Sequence, residues 1–173
     1  MPGEVIDTNV LRVASVLEST EAIETPVTDK DVLHRVFEWL KDFRQDRDRR
    51  LVMDHPERTI WKEYDRNLPR ESYGRRVMVD KFTTGSVEFV SLTYWSNGSE
   101  RVAHLPDPKL DDHFHDLGDR KMIAAAYGAS APIVNATDGD WSEPHTAAGL
   151  RALGIEVIQL LTEPERRALR KRP

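Results

Sequence analysis

The chain has 173 residues and no cysteine. That absence excludes a disulfide framework, a thiolate metal site and a cysteine nucleophile, and it fits a reducing compartment, so a cytoplasmic location is expected. Long apolar runs are missing as well. No stretch approaches the roughly 18 residues that a membrane-spanning helix requires. The N-terminus lacks a basic-then-apolar leader, so neither secretion by signal peptide nor a membrane partner is expected. Glycine-rich phosphate cradles are absent: there is no GxGxxG after the first apolar run and no GxxxxGK[ST] anywhere. No Gly-x-Ser-x-Gly elbow occurs either, which leaves few candidates for nucleophilic catalysis. An excess of basic residues is lacking, since 25 Lys and Arg face 30 Asp and Glu for a net charge of −5. That balance argues against the broad basic face of a duplex-DNA binder while leaving room for local basic patches.

What is present is acid, placed at the ends of short apolar runs. The length suits one domain, and a 39% hydrophobic, 32% charged composition describes a globular chain with a heavily charged surface. The organising stretch runs from Asp116 to Trp141. Met122, Ile123 and Ala126 have helical spacing, with Ala124 and Ala125 allowing close packing. Gly128 is expected to stop that helix. After Pro132, Ile133 and Val134 read as a buried strand, ending at Thr137-Asp138-Gly139-Asp140. Acids just past the carboxyl end of a buried strand sit where open α/β sheets place ligands.

The rest of the chain repeats the theme. Val5 and Ile6 read as a short strand with Asp7 at its end, followed by a helix from Val10; Asp7 is equally a helix cap at this stage. Val32, Leu33, Val36, Phe37, Leu40 and Phe43 form a helical stripe with a polar tail over 44–50, and Leu51-Val52-Met53 suits a strand. Glu57 to Leu68 reads as a second amphipathic helix with Ile60, Trp61, Tyr64 and Leu68 inward and Glu63 at the edge of that face. Residues 70–86, carrying Arg70, Arg75, Arg76 and Lys81 among glycines, read as a mobile basic loop. A β-hairpin near 87–105, turning at Asn97-Gly98, is expected as an insertion into the core. His113 and His115 invite a zinc reading that their two-residue spacing and the lack of thiols do not support. Glu143 to Leu153 reads as a helix capped by Gly154, and Ile155 to Leu161 as a last strand. The basic tail, 163–173, is a solvated tail or an RNA contact.

Strands alternating with helices predict an α/β fold: a three-layer α/β/α single domain over 1–173 with a largely parallel central sheet. Four segments then resemble, in order, the motifs of PIN-domain nucleases. They are Val-Ile-Asp-Thr-Asn-Val-Leu at 5–11, Glu63 within Trp-Lys-Glu-Tyr, Asp-Arg-Lys-Met-Ile-Ala-Ala-Ala at 119–126, and Asn-Ala-Thr-Asp-Gly-Asp-Trp at 135–141. The resemblance covers about residues 4–69 and 110–161 and leaves out the region 70–106. It implies that Asp7, Glu63, Asp119 and Asp138 are catalytic, metal-binding acids, with Asp140 a further ligand and Asp116 an alternative to Asp119. Thr8, Asn9 and Thr137 match small polar positions that steady such a site. It further implies an Mg²⁺- or Mn²⁺-dependent endoribonuclease, with RNA as substrate. The family includes the VapC-type toxins of toxin–antitoxin pairs, so an antitoxin partner and a homodimer are implied as well.

The physics of such a site is consistent with this. Two unit charges 4 Å apart repel by roughly 4 kcal/mol at an effective dielectric near 20, so converging carboxylates protonate, splay or take a cation. Oxygen donors suit Mg²⁺ or Mn²⁺, which can activate water and stabilise a leaving oxygen. Arg120 or Lys121 is placed to hold a phosphate. The alternative function is a catalytically silent PIN-like module that binds RNA or a protein. A phosphotransferase built on Asp7, of the haloacid dehalogenase kind, wants a second aspartate two residues on, where Asn9 stands.

Overall fold

The computed structural model describes residues 3–170. Five strands, β1 (Gly3–Ile6), β2 (Arg50–His55), β3 (Val87–Ser91), β6 (Ile133–Asn135) and β7 (Val157–Gln159), form a parallel sheet in the order β3-β2-β1-β6-β7. β4 (Tyr94–Asn97) and β5 (Glu100–Ala103) make a separate antiparallel hairpin. The helices are α1 (Thr8–Ser15), α2 (Lys30–Gln45), α3 (Thr59–Asn67), α4 (Tyr73–Thr83), α5 (Arg120–Ala129), α6 (Pro144–Ala152) and α7 (Glu163–Arg170). No helix among the described residues is long and apolar enough to cross a membrane.

β1 occupies the middle of the sheet because every one of its residues is buried. Its register sets Val5 against Ile133 and Ile6 against Val134, so the ends of β1 and β6 lie side by side. Alternation along β3 shows the layering. Phe89 meets Phe82 of α4, which meets Trp61 of α3, with ring centroids 6.0 and 4.8 Å apart. The next residue, Val90, faces Gly128 of α5, where an added Cβ would lie 2.3 Å from the valine Cγ1. Successive side chains of one strand thus touch helices on opposite faces. The sheet is the middle of three layers.

The stripe predicted for α2 is inward: Val32, Leu33, Val36, Leu40 and Phe43 are buried, and Asp29 caps the helix by accepting the Asp31 and Val32 N–H groups. Burying such a side chain stabilises by about 1.5–3 kcal/mol, whereas exposed pairs such as Lys41–Glu38 are screened by solvent, so the core and not the charged surface holds the fold. Leu40→Ala would cost about 2–5 kcal/mol.

Residues 70–86 are not a mobile loop. Most of them form α4, capped by Ser72, and three of the four basic side chains are engaged: Arg75 with Asp65, Arg76 with Glu18, and the buried Lys81 ammonium with the Asp46 and Arg49 carbonyls at 2.6 and 2.7 Å. Burial lowers the Lys81 pKa, and the ammonium also lies 4.1 Å from the centre of the Phe43 ring. Gly74 is a packing residue here, since a Cβ on it would sit 2.7 Å from the Leu11 carbonyl of α1. Its N–H instead donates to Ser15 Oγ at 2.8 Å.

The hairpin is shorter than expected. Val87 to Ser91 pairs in parallel with β2 as an edge of the main sheet, and only 94–103 fold back on themselves, around Gly98-Ser99. Gly128 lies within α5, and the helix ends instead at Ser130, which adopts φ 52. The chain leaves α6 through Gly154, at φ 69, as its sequence suggested. Of the basic tail, Arg166 reaches Ser142 and Arg167 pairs with Glu163 within α7, while Lys171 and Arg172 lie outside the described residues.

Candidate functional site

The chain runs outward from β1 to β2 and β3, then returns to the other side of β1 as β6 and β7. Strand order therefore reverses beside β1, and a crevice opens at the carboxyl ends of β1 and β6. Asp7 directly follows β1, and Asp138 and Asp140 follow β6. Asp119 adjoins the first turn of α5, Asp116 stands just before it, and α3 carries Glu63.

Asp7 is both cap and site residue. One carboxylate oxygen accepts the Asn9 N–H at 3.0 Å, beginning α1, and the other accepts the Trp141 indole N–H at 2.6 Å. Thr8 Oγ1 donates to Glu63 Oε1, and the Lys121 ammonium lies 2.6 Å from Glu63 Oε2. One residue along α3, the Tyr64 hydroxyl donates to the Ile6 carbonyl, immediately before Asp7. Asn9 spans the two strand ends. Its Oδ1 accepts the Ala136 and Thr137 N–H groups at 2.9 and 3.1 Å, and its Nδ2 donates to Asn135 Oδ1 at 3.0 Å. Asn135, fully buried, accepts the Asp138 N–H at 3.2 Å and donates to the Asp138 carbonyl at 2.8 Å, which shapes the loop. Asp138 Oδ1 in turn accepts the Asp140 N–H at 2.8 Å.

The carboxylates of Asp116, Asp119 and Asp140 each offer an oxygen within 4.8 Å of the others. At that separation each charged pair would repel by about 3–4 kcal/mol at an effective dielectric near 20. Asp119 is pushed up to about 8, first by burial and then by Asp116, Asp7 and Asp138, with Lys121 pulling it back. Asp7 is pushed up to about 7 by burial, with Asp138 and Glu63 adding to the shift and the Asn9 and Trp141 N–H groups opposing it. The outer trio and the inner pair of Asp7 and Glu63 are thus one connected electrostatic system. Its donors are all carboxylate oxygens, the set that hard divalent cations prefer. Beside it opens a cleft of about 220 Å³ whose wall includes Phe114, His115, Glu143 and His145.

Every acid singled out in the sequence, Asp7, Glu63, Asp119, Asp138 and Asp140, lies at this crevice. Asp116 and Asp119 both bring a carboxylate oxygen within 4.8 Å of Asp140. Arg120 does not serve as a phosphate holder: its guanidinium is buried and donates to Asp111 and to the Phe114 carbonyl, away from the acids. Its neighbour Lys121 points into the site instead. His113 is bound through Nδ1 to the His145 carbonyl at 2.9 Å, a structural contact. Sequence reasoning missed the roles of Asn135 and Trp141, which depend on partners over a hundred residues away.

Comparison with protein-family models, with curated proteins and with solved structures found no match to this chain.

Proposed function

We propose that the protein is a metal-dependent endoribonuclease of the PIN type, hydrolysing RNA phosphodiester bonds at the crevice beside β1. The observation that carries this reading is the convergence of six carboxylates from separate segments, with Asp7 and Asp119 raised to about 7 and 8. Such a set favours a divalent cation over isolated negative charges. Asp116, Asp119 and Asp140 would hold Mg²⁺ or Mn²⁺, which when bound polarises a phosphate and lowers the pKa of water. Asp138 supports the loop that presents Asp140. Trp141 and Asn9 orient Asp7, and Thr8 orients Glu63. That the substrate is RNA rests on the resemblance of the four motifs, as do an antitoxin partner and a homodimer.

The test is cleavage of single-stranded RNA and DNA with Mg²⁺ or Mn²⁺, by wild type and by Asp119→Asn. The expected result is RNA cleavage that the substitution and EDTA both abolish. No cleavage together with no metal binding would overturn it. One observation favours the silent RNA- or protein-binding alternative: Glu63 is already neutralised by Lys121. That alternative predicts RNA or protein binding unchanged by EDTA and by Asp119→Asn.

A further inference from the structure

We infer that the Lys121 ammonium takes the place of a second metal ion, so that the acid pocket works with one divalent cation. This deepens the nuclease reading and rests on it. The carboxylates fall into two groups. Asp116, Asp119 and Asp140 approach within 4.8 Å and are open to solvent or partly so. Asp7 and Glu63 lie deeper, and there each carboxylate already has a donor on both oxygens.

For Glu63 one of those donors is a cation. Lys121 Nζ lies 2.6 Å from Oε2 and donates to the Gly118 carbonyl at 2.5 Å. The lysine and glutamate side chains are only 13% and 22% exposed, so the pair is well shielded from water. A second metal ion in the inner group would have to displace an ammonium held by two oxygen acceptors. Among the described residues no ion pair reaches the outer trio, where Lys121 acts on Asp119 only through its charge. Lys121 is therefore a positioning residue: it holds Glu63 in place and leaves the outer trio as the site for the single ion.

The measurement is the number of Mn²⁺ ions bound per chain, by isothermal titration calorimetry and by Mn²⁺ paramagnetic resonance, at one pH for wild type, Lys121→Met and Lys121→Arg. One ion is expected in wild type and in Lys121→Arg, and two in Lys121→Met. Circular dichroism checks folding, and Lys121→Gln replaces the methionine variant if that fails to fold. Cleavage rate against Mn²⁺ should change from a Hill slope near one to a slope approaching two. Two ions in wild type, or one in both Lys121→Met and Lys121→Gln, would overturn the inference and leave the nuclease reading standing. No ion in wild type would remove both.

Discussion

Asp7 follows β1, and Asp54 lies near the end of β2, the neighbouring strand. Their exposures are 8% and 0%. Asp54 accepts four hydrogen bonds: the Thr59 and Ile60 N–H groups at 2.6 and 2.8 Å, the Thr59 hydroxyl at 3.0 Å and the Tyr94 hydroxyl at 2.6 Å. These bonds start α3 and dock the hairpin. Asp7 accepts two hydrogen bonds and faces Glu63 and Asp138. A buried carboxylate surrounded by donors is a structural fastener. One with fewer donors and acidic neighbours carries its charge at a cost, and burial together with Asp138 and Glu63 raises the pKa of Asp7.

The contrast can be broken by exchanging what each acid loses. Asp7→Asn should lower metal-dependent RNA cleavage at least about 100-fold, roughly 3 kcal/mol of barrier. Its stability in EDTA should change by no more than about 1 kcal/mol, because the lost bond is offset by relief of repulsion. Asp54→Asn should do the reverse. It loses charge-assisted bonds worth about 1.5–3 kcal/mol each, so urea unfolding should show a loss of about 3 kcal/mol, and melting a fall of about 6–12 °C.

pH sharpens the contrast further. The metal-free native protein keeps protons on Asp7 and Asp119 up to about 7 and 8, whereas the ordinary value for the unfolded chain is 3.8. Between those limits the native state binds more protons than the unfolded state. The stability these groups contribute is complete below about pH 4 and is lost as pH rises through about 7 to 8. The melting midpoint in EDTA should therefore fall from about pH 5 to pH 8.5, and Mn²⁺ should offset the fall by binding the deprotonated form. A midpoint that rises with pH in EDTA would contradict the assignment. The smallest effect is expected from Tyr94→Phe, which removes one bond to Asp54 and should cost about 1 kcal/mol by urea unfolding with metal binding unchanged.

Asp7 was legible in the sequence because Val-Ile-Asp places an acid directly after a buried pair. Asp54, inside Met-Asp-His, was not, because its four donors come from Thr59, Ile60 and Tyr94 and are local only in space. The α2 stripe was legible because helical burial is periodic. α4 was not, because Gly74 reads as flexible until Leu11 is seen against it. Val87 to Ser91 and the hairpin share one β-like composition, and only the open edge of β2 decides which segment joins the sheet. Arg120 and Lys121 are adjacent bases of the same class. A turn of about 100° per residue along a helix sends one into the core and the other to Glu63.

The phenol of Tyr64 has one further consequence. It ties α3 to the last residue of β1, while Trp61, less than one turn away on the same nine-residue helix, leans on Phe82 and through it on the half-exposed Phe89. The helix thus joins an aromatic flank to the acid pocket, so both are fixed by one short rigid element.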